Sequence, residues 1–369
     1  MPRRGIGWTQ NRSALAYTPP GFSRIPERRG DGVSARIAVG LDVHTRSIVA
    51  HAADISTGEA LTRTFGGGDF MGLLAWLEAL PERCEAVYEA GYCGFSLARF
   101  LIDHSVPCTV TQGCTLGRGR AKTDAMDAEA LSRLLIASKL RPVFIPTEEQ
   151  EAQREVARQR YELAQQRKAA KHRLAAFSHR HGLPKKIAVD SRMRVLASLN
   201  PGDRLSFEAL TAQLENVNRE IAHLEKFMNR EVERDPYMRA LTCISGIGPV
   251  VSFTATAEAM DFMRFDTARD YASFLGLVPV PHNSGGKSAR LSSEKRTASG
   301  DCFYSAATTV MRVGGLFQTG GLADPENCVI RECLASLDGS PCERRKTHRA
   351  AIMARCIAEQ TWALAHRLD

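Results

Sequence analysis

The sequence predicts a mixed α/β domain near the N-terminus, then a long helical segment and a mostly α-helical C-terminal region. Short apolar runs alternate with helical patterns from residue 36 onward, helical periodicity dominates 147–235, and glycine-rich turns interrupt helical runs after residue 237. We expect four parts: a disordered basic extension (1–34), an α/β domain (35–146), a helical hairpin or coiled-coil linker (147–236) and a C-terminal domain (237–369).

The α/β domain is predicted from its alternating pattern. Five strand-like runs and three helical runs follow one another in the order βββαβαβα. The strands are predicted at 36–43, 47–54, 59–65, 84–90 and 107–112, and the helices at 69–80, at 95–105 and from near Thr123. No GxGxxG turn follows the first strand, as a dinucleotide-binding fold would require. The order therefore favours a ribonuclease-H-like mixed sheet flanked by helices.

Two long helices are predicted to follow the sheet. The first starts at Thr147 and is stopped by Gly182 and Pro184, and the second spans about 203–235. Such a pair, joined by a Pro-containing turn, is typical of an antiparallel hairpin or coiled coil. Further on, Gly246 and Gly248 lie between two helix-like runs, as in a helix-hairpin-helix element, whose backbone N–H groups can approach a phosphate.

Composition limits the class of protein. The 369 residues carry a formal net charge of +8, which favours polyanionic partners such as nucleic acid. No run approaches the roughly 20 apolar residues of a membrane span. The ten cysteines include no CxxC pair, so we expect reduced thiols in a cytoplasmic protein, without a disulfide framework or a zinc site.

Four carboxylates occupy positions where a core would not place them. Asp42 and Glu89 end the first and fourth strands, and Asp124 and Asp127 share one face of the third predicted helix. Each residue alone fits a turn, a strand end or a helix N-terminus. Because the first and fourth strands are neighbours in a ribonuclease-H-like sheet, we expect all four to converge. Such a group requires divalent cations, and hard oxygen ligands suit Mg²⁺ or Mn²⁺.

The motifs together resemble a known family. "GLDVH", "YEAGYCG" and "KTDAMDAEAL", with "SGIGPVVS" and "GLVPVPHNSGGK" downstream, are similar to the DEDD transposases of the IS110/IS1111 insertion-sequence family. The resemblance runs from about residue 36 to about residue 315. It implies a RuvC-like domain in which Asp42, Glu89, Asp124 and Asp127 are the catalytic metal-binding tetrad, followed by a C-terminal transposase domain.

The resemblance also implies a catalytic serine. Ser284 in "GLVPVPHNSGGK" matches the family's serine, which would attack a DNA phosphodiester, release a 3′-hydroxyl and form a 5′-phosphoserine link. Nearby basic residues and the glycine turn are candidate nucleic-acid contacts. They are Lys122, Gly246, Gly248, Lys287, Arg290, Lys295 and Arg296.

The segment after the serine departs from the family pattern. Gly300 and Asp301 take the place of its glycine–asparagine step, the lysine two positions earlier is missing, and Phe303-Tyr304 replaces its Leu-Arg. This leaves open a copy whose DNA contacts or activity have diverged.

The resemblance implies partners and a location as well. A structured guide RNA would pair with donor and target DNA, and dimers or tetramers would form through the helices of 147–235. The protein would act in the bacterial cytoplasm, at the nucleoid. Three alternatives remain: a RuvC-type junction nuclease that uses water, a sugar-kinase or actin-like ATPase, and a non-catalytic nucleic-acid-binding derivative. The ATPase lacks support because "DVHTRS" has no glycine of a phosphate loop.

Overall fold

The computed structural model describes residues 36–91, 93–113, 123–184, 192–282, 290–293, 296–313, 322–338 and 346–368. The predicted basic extension lies outside these ranges. The chain forms two compact units that divide near residue 148. We call residues 36–148 the sheet unit and residues 149–368 the helical unit.

The sheet unit contains every strand and helix that the sequence predicts for it. Its elements are β1 (Ile37–Val43), β2 (Ser47–Asp54), β3 (Ala60–Gly66), α1 (Phe70–Glu78), β4 (Cys84–Glu89), α2 (Ser96–Asp103), β5 (Cys108–Thr111) and α3 (Asp124–Ile136). The strand order is β3-β2-β1-β4-β5, with β1, β4 and β5 parallel and β2 antiparallel to its neighbours. This mixed sheet is consistent with the ribonuclease-H-like arrangement.

The two faces of the sheet are covered by different helices. Odd-numbered residues of β1, such as Val39 and Leu41, pack in one cluster with apolar side chains of α1 and α2. Ala38 faces the other way and packs with Leu131 and Leu135 of α3. The alternation follows from the two-residue period of a strand. Burying each such leucine contributes about 2 kcal/mol.

The helical unit contains most of the chain's helices. Its elements are α4 (Glu148–Arg180), α5 (Arg192–Ser198), α6 (Pro201–Arg234), α7 (Pro236–Leu241), α8 (Pro249–Ala259), a 3₁₀ turn (Phe262–Arg264), α9 (Ala268–Phe274), β6 (Pro279–His282), β7 (Arg290–Ser293), α10 (Ala298–Val313), α11 (Asp324–Asp338) and α12 (Lys346–Leu368). The helix stop predicted at Gly182 is confirmed: the residue has φ +61°, a backbone conformation that favours glycine.

The long helices α4 and α6 run antiparallel along their contacts. Arg160 and Glu225 form an ion pair of 2.6 Å near one end, and the rings of Phe177 and Phe207 lie 5.9 Å apart near the other. Ile221 of α6 is buried.

Helix α12 lies in the core of the helical unit. Met353, Ala354 and Ile357 are fully buried there, together with Leu241, Phe303 and other residues of α7 to α11. The sequence contains no motif that identifies this tail, yet its apolar residues recur at helical spacing. None of the helices in the described ranges is both long and apolar enough to cross a membrane.

The antiparallel ribbon of β6 and β7 is not among the predicted elements. Pro279 pairs with Ser293, and His282 with Arg290. Two prolines in "PVPH" argue against a strand because proline donates no ladder hydrogen bond. They are tolerated here because the ribbon has only two strands, so each strand has a free edge within the described sheet.

Candidate metal site

Two carboxylates lie side by side at the carboxyl ends of neighbouring parallel strands. β1 and β4 pair with Leu41 opposite Tyr88, and Asp42 and Glu89 are the next residues on each strand. Strand alternation directs both toward the face covered by α3, since Ala38 and Val87 pack against that helix. The register therefore brings Asp42 and Glu89 to one edge of the sheet, as predicted from the sequence.

Helix α3 brings two more carboxylates to this edge. Its N-cap is Thr123, whose hydroxyl accepts a hydrogen bond from the backbone N–H of Met126, and Asp124 and Asp127 lie in its first turn. The helix approaches β1 closely because residue 40 is glycine. A Cβ there would lie 1.9 Å from the carbonyl oxygen of Ala128. This contact sets how near the carboxylates of α3 come to Asp42.

Asp42, His44 and Asp124 form a compact group. Each offers one ligand atom, and these atoms all lie within 4.8 Å of one another. The His44 Nε2 atom lies 3.0 Å from Oδ2 of Asp42 and 3.9 Å from Oδ1 of Asp124. The backbone N–H of His44 donates to the carbonyl of Ser47, which fixes the turn between β1 and β2. His44 is the residue that the sequence analysis missed.

The electrostatics of Asp42 follow from its surroundings. Burial raises the pKa of its carboxyl group, the charge and hydrogen bond of His44 lower it, and the charges of Asp124 and Asp127 raise it again, for a net increase. The ionised form of Asp42 is thus disfavoured by burial and by like charges. A bound cation would reverse both effects.

The structure does not bring all four predicted ligands into one group. Asp127 is close enough to Asp42 for its charge to act on that carboxyl, but it lies outside the group of three, as does Glu89. Glu89 is adjacent in register to Asp42 without forming part of the cluster.

The donor set fits a divalent metal. Two carboxylates and an imidazole, part exposed, are ordinary ligands for such an ion. Carboxylates suit Mg²⁺ and Mn²⁺, and the imidazole is a softer ligand that Mg²⁺ seldom takes. His44 can also act indirectly, since a hydrogen bond to a ligating carboxylate fixes its orientation.

Comparison with known proteins shows the family of this chain. A transposase family model of the DEDD, IS110 type matches residues 39–178, and a model described as "Transposase IS116/IS110/IS902 family" matches residues 238–320. Together they cover more than half of the chain. The chain belongs to the IS110 family of transposases.

Curated relatives agree with this assignment. The IS110-family chain is 29% identical over 262 residues to a putative transposase, y4rJ, of Sinorhizobium fredii, covering 59% of this chain and 65% of the relative. It is 26% identical over 180 residues to the transposase of IS1328 from Yersinia enterocolitica, covering 47% and 54%. The corresponding values for the transposase of IS1111A from Coxiella burnetii are 25% over 183 residues, 47% and 50%. The chain thus spans about half to two thirds of the length of these relatives.

Several predicted site residues lie outside the described part of this IS110-family chain. These are Ser284, Lys122, Lys287 and Lys295. Arg290 is the first residue of β7, paired with His282. Arg296 is described, and its guanidinium Nε donates to Asp301 at 2.7 Å.

The predicted glycine turn lies between α7 and α8. Gly248 is the N-cap of α8. Gly246 has φ +92°, and a Cβ at this position would lie only 2.7 Å from Cγ2 of Val310. The buried Asn327 of α11 holds the turn: its side chain accepts from the N–H of Ser245 and donates to the carbonyl of Cys243. Sequence patterns gave no sign of Asn327, because its partners lie more than 80 residues away.

Proposed function

We propose that this protein is a DNA transposase that cuts and rejoins DNA strands with the help of divalent metal bound at Asp42 and its neighbours. The observation that carries the proposal is the group of Asp42, His44 and Asp124 at the sheet edge, in a chain of the IS110 family. A metal ion bound there, Mg²⁺ or Mn²⁺, would stabilise charge on the reacting phosphate.

The four acidic residues have distinct positions in this proposal. Asp42 is supplied by a central strand and is held rigidly, as a metal ligand must be. Asp124 and Asp127 come from the first turn of α3, and Glu89 comes from the neighbouring strand. The Asp42–His44 hydrogen bond of 3.0 Å orients the first carboxylate.

Ser284 is the proposed nucleophile, on the basis of the family motif. Its Oγ attacks the phosphorus, the Oγ–H proton is lost, and the bond from phosphorus to the 3′-oxygen breaks. The 3′-oxygen takes up a proton and leaves as a hydroxyl, and the 5′-phosphate remains on the serine. Attack by a 3′-hydroxyl of another strand reverses these changes and rejoins DNA.

Partners are proposed on the same basis. Donor and target DNA would be selected by a structured guide RNA, and the protein would contact these nucleic acids through backbone and shape. We propose a dimer or tetramer, with the α4–α6 hairpin as the contact between copies.

A metal-dependent nuclease is the second candidate. The Asp42 group lies wholly within the sheet unit, and such a group can direct a water molecule instead of a serine. The two candidates differ in one product, since hydrolysis leaves no bond between protein and DNA.

The experiment that tests the proposal looks for that bond. The purified protein is incubated with Mg²⁺ or Mn²⁺, RNA from the non-coding end of the element, and donor DNA labelled on the 3′ side of the cut, in the fragment that keeps the 5′-phosphate. The products are then separated under denaturing conditions. We expect a labelled protein–DNA adduct for the wild type and none for Ser284→Ala or Asp42→Asn.

Matched variants make the result specific. Ser288→Ala removes a neighbouring hydroxyl and should keep the adduct. Cleavage without an adduct in the wild type would favour the nuclease. An adduct that persists in Ser284→Ala would reject Ser284 as nucleophile, and full activity of Asp42→Asn would reject the metal site.

A further inference from the structure

A second polar group in the helical unit joins three elements. Arg296 follows β7, Asp301 lies in the first turn of α10, and Tyr161 lies on α4. The Asp301 carboxylate accepts from Arg296 Nε at 2.7 Å through Oδ1 and from the Tyr161 hydroxyl at 2.8 Å through Oδ2. Tyr304, one turn along α10, completes the group: its ring centroid lies 4.3 Å from Cζ of Arg296.

The guanidinium of Arg296 is held in place but remains accessible. Its side chain is 33% exposed. Among the residues that the structure describes, its hydrogen bond to Asp301 is made by Nε. Stacking on the Tyr304 ring restrains the plane of the guanidinium. The Nη edge therefore keeps the donors with which arginine binds a phosphate in bidentate fashion.

Asp301 itself is rigidly placed. The turn that carries it contacts Leu275, whose carbonyl oxygen accepts from the hydroxyl of Thr297 at 3.3 Å. Gly300 allows this turn to approach Leu275 closely, since a Cβ at residue 300 would lie 2.1 Å from the same carbonyl oxygen. Burial and then the bond and charge of Asp301 raise the pKa of Tyr161 to about 12, so its hydroxyl stays a neutral donor near pH 7.

We propose that Arg296 binds a phosphodiester of DNA and that Asp301, Tyr161 and Tyr304 are positioning residues that hold its guanidinium ready. This inference rests on the proposed function and deepens it. DNA is favoured over RNA because Arg296 comes soon after β7 in the sequence, and the proposed serine lies between β6 and β7. Asp301 lowers the local positive charge, so its role is to set the geometry of Arg296.

The effect of removing Asp301 distinguishes positioning from simple electrostatics. Asp301→Ala deletes a negative charge, which alone would tighten binding to DNA. If Asp301 positions Arg296, the variant instead binds a DNA duplex about fivefold more weakly, as expected for about 1 kcal/mol of lost orientation. Asp266→Ala is the matched control, because Asp266 is an exposed carboxylate of the same unit. It should bind equally or more tightly.

Two further variants complete the test. Tyr161→Phe keeps the net charge and removes one bond to Asp301, so DNA binding should weaken about twofold to threefold. Arg296→Gln should reduce the magnitude of the negative slope of log K against log salt by about 1, which is the contribution of one phosphate contact. Arg269→Gln, which replaces an exposed arginine of α9, should leave the slope unchanged. Thermal unfolding verifies that each variant folds, and Tyr161→Phe carries the test if Asp301→Ala does not.

The outcomes separate this inference from the proposed function. Wild-type protein that binds no DNA, even when RNA from the non-coding end of the element is present, would overturn the proposed function itself. Wild-type binding with an unchanged slope in Arg296→Gln, or tighter binding by Asp301→Ala, would overturn the inference alone. A parallel titration with duplex RNA is the remaining arm, and a change of slope confined to RNA would overturn the assignment to DNA.

Discussion

The two units of the molecule treat charge in opposite ways. In the sheet unit, Asp42 lies close to Asp124 and near enough to Asp127 for both charges to raise its pKa. In the helical unit the buried Glu258 is bound by Arg158 through two hydrogen bonds of 2.8 and 3.1 Å. There the hydrogen bond with Glu258 raises the pKa of Arg158, so the charged form of the arginine is favoured.

The difference indicates two uses of buried charge. An acid paired with arginine is complete within the protein and contributes to folding. Acids gathered beside one another repel, and the arrangement becomes favourable when a cation is added. We therefore propose that the Asp42 group of the sheet unit is organised around an added ion, whereas Glu258 of the helical unit has a partner that the chain itself supplies.

The largest expected effect is at the contact that sets the spacing of the acids. In Gly40→Ala the new Cβ would meet the Ala128 carbonyl at 1.9 Å and the Ser132 nitrogen at 2.6 Å. Since backbone cannot move aside as a side chain can, we expect a loss of about 3 kcal/mol in unfolding free energy. Helix α3 would also shift, so the remaining folded protein should lose stabilisation by Mn²⁺. Thermal unfolding with and without Mn²⁺ measures both.

Gly66→Ala is the control for this change. A Cβ at residue 66 of β3 would meet nothing within 4 Å, so stability and the response to Mn²⁺ should stay near those of the wild type. Equal behaviour of the two variants would show that the α3–β1 contact does not set the site.

The second prediction concerns the internal pairing of the helical unit. Glu258→Gln leaves Arg158 without its ionised partner, and we expect a loss of roughly 2–3 kcal/mol, below the cost for a fully buried pair because the Arg158 side chain is 49% exposed. Glu208→Gln breaks the exposed pair with Arg204 and should cost less than about 0.5 kcal/mol. Chemical denaturation provides the values. Equal losses would contradict the distinction between paired and exposed acids.

The sequence predicts the sheet unit well because its signals are local. The apolar run of β1, the capping threonine before α3 and the strand-end positions of Asp42 and Glu89 are all visible within a few residues. Their convergence requires only the strand order, which the βββαβαβα pattern indicates. The exact spacing of the four carboxylates depends on side-chain rotamers, which no sequence pattern records, so the single four-carboxylate group stays a prediction.

The features that the sequence did not predict depend on distant or subtle partners. Arg158 and Glu258 are 100 residues apart, and Tyr161 and Asp301 are 140 apart, so neither pairing leaves a periodic signal. His44 is close to Asp42 in sequence, yet its place in the site depends on the turn closed by its N–H bond to Ser47.

The third prediction tests how His44 completes the sheet-unit site. We expect His44→Ala to weaken Mn²⁺ binding about tenfold, with His172→Ala, on the exposed surface of α4, as the unaffected control. Calorimetric titration with each metal also distinguishes two roles. A direct ligand should matter more for Mn²⁺ than for Mg²⁺, whereas a residue that only orients Asp42 should affect both alike. Unchanged binding of both metals would exclude His44 from the site.

The smallest expected effect extends the comparison to thiols. In the sheet unit, burial raises the pKa of Cys84 and Cys108, so both should be slow to alkylate at pH 7. In the helical unit, a hydrogen bond from the thiol of Cys356 lowers the pKa of Cys333 to about 7. Its alkylation by iodoacetamide should therefore rise with pH around 7, because the thiolate is the reactive form.

Cys356→Ala isolates the cause of that reactivity. Without the donor, the pKa of Cys333 returns toward the usual range of a thiol, and alkylation at pH 7 should slow about tenfold, since a more basic thiolate is scarcer but a better nucleophile. Mass spectrometry of Cys333 peptides at several pH values measures the change. Unaltered kinetics would mean that exposure alone makes Cys333 reactive. In that event, internal hydrogen bonds in the helical unit would control the ionisation of Arg158 but not the reactivity of Cys333.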